Sequence, residues 1–132
     1  MVIALLLEPD KNVREKLRKR MTSVGIHTIC ADNYGSAFER LVSLDKSEVF
    51  PDFLICGEGG NYNVSAGNER LNLDEFFKTV REIVLFHHPG TFIVGYGEGF
   101  KGDGKYLDAI SLDVPNSIDL KRMFYRVAKD LF

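Results

Sequence analysis

Between Pro51 and Gly60 the chain reads PDFLICGEGG, four consecutive apolar residues entered through Pro-Asp and left through glycine. An apolar run this short, bounded by turn residues, forms a strand buried on both faces, and such strands belong to parallel sheets covered by helices on either side. In a sheet of that kind, ligands and reactive groups sit beyond the carboxyl ends of the strands. The residues after Cys56 are therefore the first place to look for chemistry. They are Gly57, Glu58, Gly59 and Gly60, and no nucleophile or metal-ligand set stands among them.

The rest of the chain repeats the same alternation. Val2 to Leu7, VIALLL, has no polar interruption and reads as a central strand that Glu8-Pro9-Asp10 ends. Asp10 is placed to cap a helix over about 11 to 24, whose Val13, Leu17, Met21 and Val24 share a face and which Gly25 closes. Ile26 to Ala31 gives a second strand, and Asp32 or Asn33 caps a helix with Ala37, Phe38, Leu41, Val42 and Leu44 inward. After the Pro51 to Cys56 strand, residues 57 to 71 are glycine- and asparagine-rich, longer than an ordinary link. Asn72 and Glu75 stand at capping-box spacing before a third helix, about 73 to 87, with Val80, Ile83 and Val84 on its inner face. Thr91 to Tyr96 is a fourth strand. Four glycines between Gly97 and Gly104 argue against a regular helix there. Asp108 to Leu112 is a fifth strand, and Ile118, Leu120, Met123, Phe124, Val127 and Leu131 give a last amphipathic helix capped by Asn116 or Ser117. Strand and helix alternating through short links predict a doubly wound parallel α/β sheet.

At 132 residues, positions 1–132 fit a single domain. A formal net charge of -2 gives no drive toward nucleic acid or anionic lipid. The basic stretch Lys11, Arg14, Lys16, Arg18, Lys19 and Arg20 reads as a solvated helix face, with contact to an acidic partner as the other reading. No apolar run is long enough to span a bilayer, so no membrane role is expected and cytoplasm is the expected location. Cys30 and Cys56 are too few for a zinc site or a disulfide framework.

This order, together with LLLEPDKNVREKLRKRM, the Pro-Asp entry to the third strand and the Val114-Pro115 step, resembles the receiver domain of bacterial response regulators. The resemblance implies a CheY-like, flavodoxin-like five-stranded sheet in the order 2-1-3-4-5, with the fourth helix short or irregular. In that order Cys30 and Cys56 lie two strands apart, about 10 Å, too far to pair. It also implies a constellation at the strand ends: two acids after strand one holding magnesium, an aspartate ending strand three as phosphoacceptor, a hydroxyl ending strand four, a lysine before Pro115, and an aromatic in strand five. Those places hold Glu8 and Pro9, Gly57, Gly97, Val114 and Ser111. Five of the six have lost the required group, and only Glu8 keeps an acid. Losses on separate strands are not explained by a register shift. The resemblance is thus to a pseudo-receiver without a phosphoacceptor, without enzymatic activity and without a cofactor.

Glu8 and Asp10 are the only metal candidates near the first strand, against Asp10 as a plain helix cap. His87-His88 lacks a third ligand. The function implied is a phosphorylation-independent signalling module acting through a protein partner or a following output region, with a homodimer left open. Phe100, Tyr106, Met123 and Tyr125 are the contact candidates. The alternative is a sensor for a nucleotide or phosphorylated metabolite, with the glycine-rich stretches 57–60 and 97–104 as an anion cradle and Lys101 or Lys105 adding charge.

Overall fold

The structure is a computed structural model that describes residues 2–57, 78–84, 90–97, 108–111 and 114–131. Four strands, β1 (Val2–Leu7), β2 (Ile26–Ala31), β3 (Phe53–Gly57) and β4 (Phe92–Tyr96), run parallel in the order β2-β1-β3-β4. Three further residues, β5 (Ala109–Ser111), pair with β4 from Val94↔Ala109 to Tyr96↔Ser111. Parallel neighbours require crossovers, and the two described in full are α1 (Lys11–Ser23) and α2 (Tyr34–Lys46). The last helix, α3, spans Ser117–Leu131. Any fourth crossover helix would fall in 98–107, outside the described residues.

The period-two alternation of the strands divides the core into two layers. On one face Leu5, Leu7, Leu54, Cys56 and Ile93 meet Tyr34, Ala37 and Leu41 of α2 together with Val80. On the other Val2, Ala4, Leu6, Phe53, Ile55 and Tyr96 meet Leu17 and Met21 of α1 and Leu120 of α3. Burying a leucine of this kind contributes roughly 1.5–3 kcal/mol. The uninterrupted apolar runs of β1 and β3 are what a sheet covered on both faces demands.

Local signals place the helices. The Asp10 carboxylate accepts from the backbone amides of Asn12 at 2.8 Å and Val13 at 3.1 Å, which starts α1. Gly25 ends that helix with φ of 92°, a conformation that costs glycine nothing. Asn33, rather than Asp32, caps α2 by accepting from Ser36 N at 2.8 Å. Asn116 and Asp119 cap α3 reciprocally, at 2.9 and 3.2 Å. At the opposite end of the sheet, Asp52 clips the entry to β3, accepting from Ile3 N at 2.8 Å while its own amide donates to Ile3 O at 2.7 Å.

Two expectations change. Ile118 is 62% exposed instead of facing inward. At about 100° per residue it lies some 200° around α3 from the buried Leu120, on the side of Tyr125. Of the third helix, residues 80–84 form a π-helical turn, Val80–Val84, instead of continuous α-helix. Arg81 on that turn donates to Thr91 O at 3.0 Å and pairs with Asp108. Asp108 in turn accepts from Ile93 N at 2.7 Å, which holds the β4–β5 edge.

Candidate functional site

The carboxyl ends of β1, β3 and β4 lie side by side, with Leu7 opposite Cys56 and Gly57 opposite Tyr96. Strand alternation decides what meets there. Leu7 belongs to the α2 layer, so the next residue, Glu8, turns to the α1 layer. Cys56 likewise belongs to the α2 layer, which turns Gly57 to the same side as Glu8, and Tyr96 is already in that layer. Three consecutive strand ends thus bring Glu8, Gly57 and Tyr96 to one place.

Two side chains occupy that place. The Tyr96 hydroxyl donates to Glu8 Oε2 in a buried hydrogen bond. Glu8 is 7% exposed and Tyr96 2%, so water is excluded from the bond between them. The other carboxylate oxygen, Oε1, accepts from Asp10 N at 3.3 Å. Arg14 Nη1 donates to Glu8 O at 2.9 Å and to Pro9 O at 3.5 Å, which anchors the β1–α1 turn. A Cβ on Gly57 would overlap Glu8 Oε2 and come within 2.9 Å of Tyr96 Oη and 3.0 Å of Tyr96 Cζ. Gly57 therefore has a steric role. Its lack of a side chain is the space in which the carboxylate and the phenol meet.

Each residue singled out in the sequence now has a position. Glu8 sits in this centre with its carboxylate turned onto Tyr96, and Asp10 stands outside it as the cap of α1. Among the described residues no group of three His, Cys, Asp or Glu side chains converges as a metal site would need. Pro9 is half-buried beside Glu8. Gly97 does not end strand four. It follows the strand with φ of 120°, and the residue that closes β4 beside Gly57 is Tyr96. Tyr96, at the end of the fourth strand, donates its hydroxyl hydrogen bond to Glu8. Ser111 pairs with Tyr96 across the β4–β5 ladder. Val114 packs on the α1 layer, supplying apolar contact where a lysine was sought.

The sequence reading missed Tyr96. The signal was present: Phe92, Val94 and Tyr96 alternate, and in register with β3 the last of them must face the Gly57 position. Among the contact candidates, Met123 is half-buried and packs against the core on the Leu120 face of α3. Tyr125 is 68% exposed, with its ring edge-on to Phe124. Phe100, Tyr106, Lys101, Lys105 and His87-His88 lie outside the described residues, as do the glycine-rich stretches apart from Gly57 and Gly97. Cys30 and Cys56 are both free thiols. Burial pushes the Cys56 thiol well above its usual range, and desolvation raises Cys30 despite nearby arginines.

No family model matches this chain, and no curated protein sequence matches it. Solved structures do. A response regulator receiver domain protein from Clostridium thermocellum superimposes with a TM-score of 0.71 at 9% identity, over 99% of this chain and 98% of that one. A CheY-like receiver domain from Methylobacillus flagellatus gives 0.72 at 11% identity, over 96% and 98%. The chemotaxis response regulator CheY4 of Vibrio cholerae gives 0.65 at 20% identity, over 96% and 98%. The fold is that of CheY-like receiver domains.

Proposed function

We propose that this chain is a receiver-like signalling module that works by contact with a protein and does not accept a phosphoryl group. The observation that carries the reading is the occupied strand-end centre. A phosphoacceptor needs a carboxylate facing solvent, with room for a phosphoryl group and a magnesium ion beside it. Here the strand-three position has no side chain, and the volume beside it is taken by the Glu8–Tyr96 pair. Pro9 cannot ligate through its side chain, and Val114 offers no cation for a phosphoryl oxygen.

A module of this kind acts through its surface. On α3, Ile118 and Tyr125 are exposed and seven residues apart, so they share a face that a partner, a following output region or a second copy would cover. The test is to add beryllofluoride with magnesium and follow backbone amide shifts. The expected result is no saturable change at Glu8, Gly57 or Tyr96, and a saturable change there refutes the reading.

A further inference from the structure

A pocket of ≈ 390 Å³ opens at the β2 edge of the sheet, lined by Arg14, Cys30, Ala31, Asp32, Ser36 and Arg40. β2 is the outermost strand on that side, with β1 between it and β3, so this pocket is separate from Gly57 and Tyr96. Arg14 comes from α1. Ser36 and Arg40 are four residues apart on α2 and share one face. Cys30 and Ala31 end the strand between them. The volume lies within the range of small-ligand sites.

Two arginines and one aspartate line this pocket, and neither arginine forms an ion pair among the described residues. Elsewhere Arg18 pairs with Glu15 and Arg81 with Asp108. Arg14 donates only to the backbone carbonyls of Glu8 and Pro9, and Arg40 has neither an ion-pair nor a hydrogen-bond partner among the described residues. The lining carboxylate, Asp32, is exposed, accepts from Asn33 Nδ2 at 3.0 Å and forms no ion pair among the described residues. Ser36 lies in the first turn of α2, where the helix dipole adds positive potential, and its hydroxyl has no partner among the described residues. Two guanidinium groups facing one polar concavity from different helices match a tetrahedral anion with several acceptor oxygens.

We propose that this pocket binds the phosphate group of a small ligand, with Arg14 and Arg40 holding its oxygens from the α1 and α2 walls and the Ser36 hydroxyl donating a further bond. The site uses neither the glycine-rich stretches nor the Glu8–Tyr96 bond, and Arg14 reaches Glu8 only through its backbone carbonyl, so the proposal stands or falls independently of the signalling reading.

Cys30 in the lining supplies the readout, and the fully buried Cys56 serves as internal control. The intact chain is labelled with N-ethylmaleimide, a neutral reagent, in sodium phosphate, in adenosine monophosphate, and in sodium chloride of matched ionic strength. Amide shifts at Asp32 and Ser36 are followed in parallel. The expected result is a several-fold slowing of Cys30 labelling and saturable shifts with the phosphate-bearing probes, both lost in Arg40→Ala. Arg40 is exposed and forms no hydrogen bond or ion pair among the described residues, so that variant should keep its structure. Equal effects of both probes identify the phosphate group alone as what is recognised, and an effect of the nucleotide only extends the site to its nucleoside. No slowing together with no shift, an equal effect of chloride, or protection that survives Arg40→Ala overturns the proposal.

Discussion

Replacing Gly57 by alanine tests whether the strand-end centre is built as described. The substitution is mild in every other respect, because Gly57 is not among the positive-φ glycines and alanine is compatible with its extended backbone. The new Cβ, however, overlaps Glu8 Oε2 and approaches the Tyr96 ring, so the buried carboxylate–phenol bond must break or shift. A hydrogen bond to a carboxylate is worth about 1.5–3 kcal/mol. Restricting the unfolded chain returns about 0.4–1 kcal/mol. The net expectation is a loss of about 1–2 kcal/mol, which for a chain of this size lowers the melting temperature by roughly 4–8 °C. The decisive measurement is a double-mutant cycle in urea with Glu8→Ala. Without the carboxylate, the remaining contacts to Tyr96 at 2.9 and 3.0 Å relax by a few tenths of an ångström. Alanine at 57 should then be neutral or stabilising. Additivity of the two substitutions within about 0.5 kcal/mol would refute the reasoning, since contacting residues must couple.

Other consequences follow from the same geometry. Gly57→Asp should remain unlabelled by acetyl phosphate in the presence of magnesium, read by intact mass, because the introduced carboxylate enters a space already held by Glu8 and Tyr96; stable uptake would contradict that. Tyr96→Phe leaves the buried Glu8 carboxylate without its hydroxyl donor and should cost about 1–3 kcal/mol in urea unfolding. Asp10→Ala removes the α1 cap and should cost about 1 kcal/mol, with hydrogen-exchange protection lost first at Asn12 and Val13. The raised Cys56 thiol stays protonated in the fold, whereas in the unfolded chain it ionises above about pH 8.5–9. The folded state then binds more protons, so stability falls as pH rises, by up to about 1.4 kcal/mol per unit from this group. Urea unfolding of the parent and Cys56→Ala at about pH 8 and about pH 10 should therefore show the smaller pH loss in the variant.

Much of the architecture is local information. Uninterrupted apolar runs at Val2–Leu7 and Phe53–Cys56, caps at Asp10 and Asn116, and Gly25 after α1 each act within a few residues, so the strands, helix starts and parallel order can be read along the chain. The absence of a side chain at position 57 is equally visible, because glycine has none whatever surrounds it. What fills the space beside that glycine could not be read that way. The meeting of Glu8 with Tyr96 depends on the register of three strands 88 residues apart in sequence, and a shift of one residue would turn either side chain to the opposite layer. The same holds for Arg14, which reads as part of a solvated helix face until α1 and α2 are placed on either side of β2 and Arg40 lines the same pocket. Ile118 departs from its expected place for a related reason: the apolar stripe of α3 is wider than the core it meets, and only packing decides which part of the stripe is buried. Sequence determined which elements form and which chemistry is absent at Gly57. Tertiary structure decided which distant side chains fill the space that absence leaves.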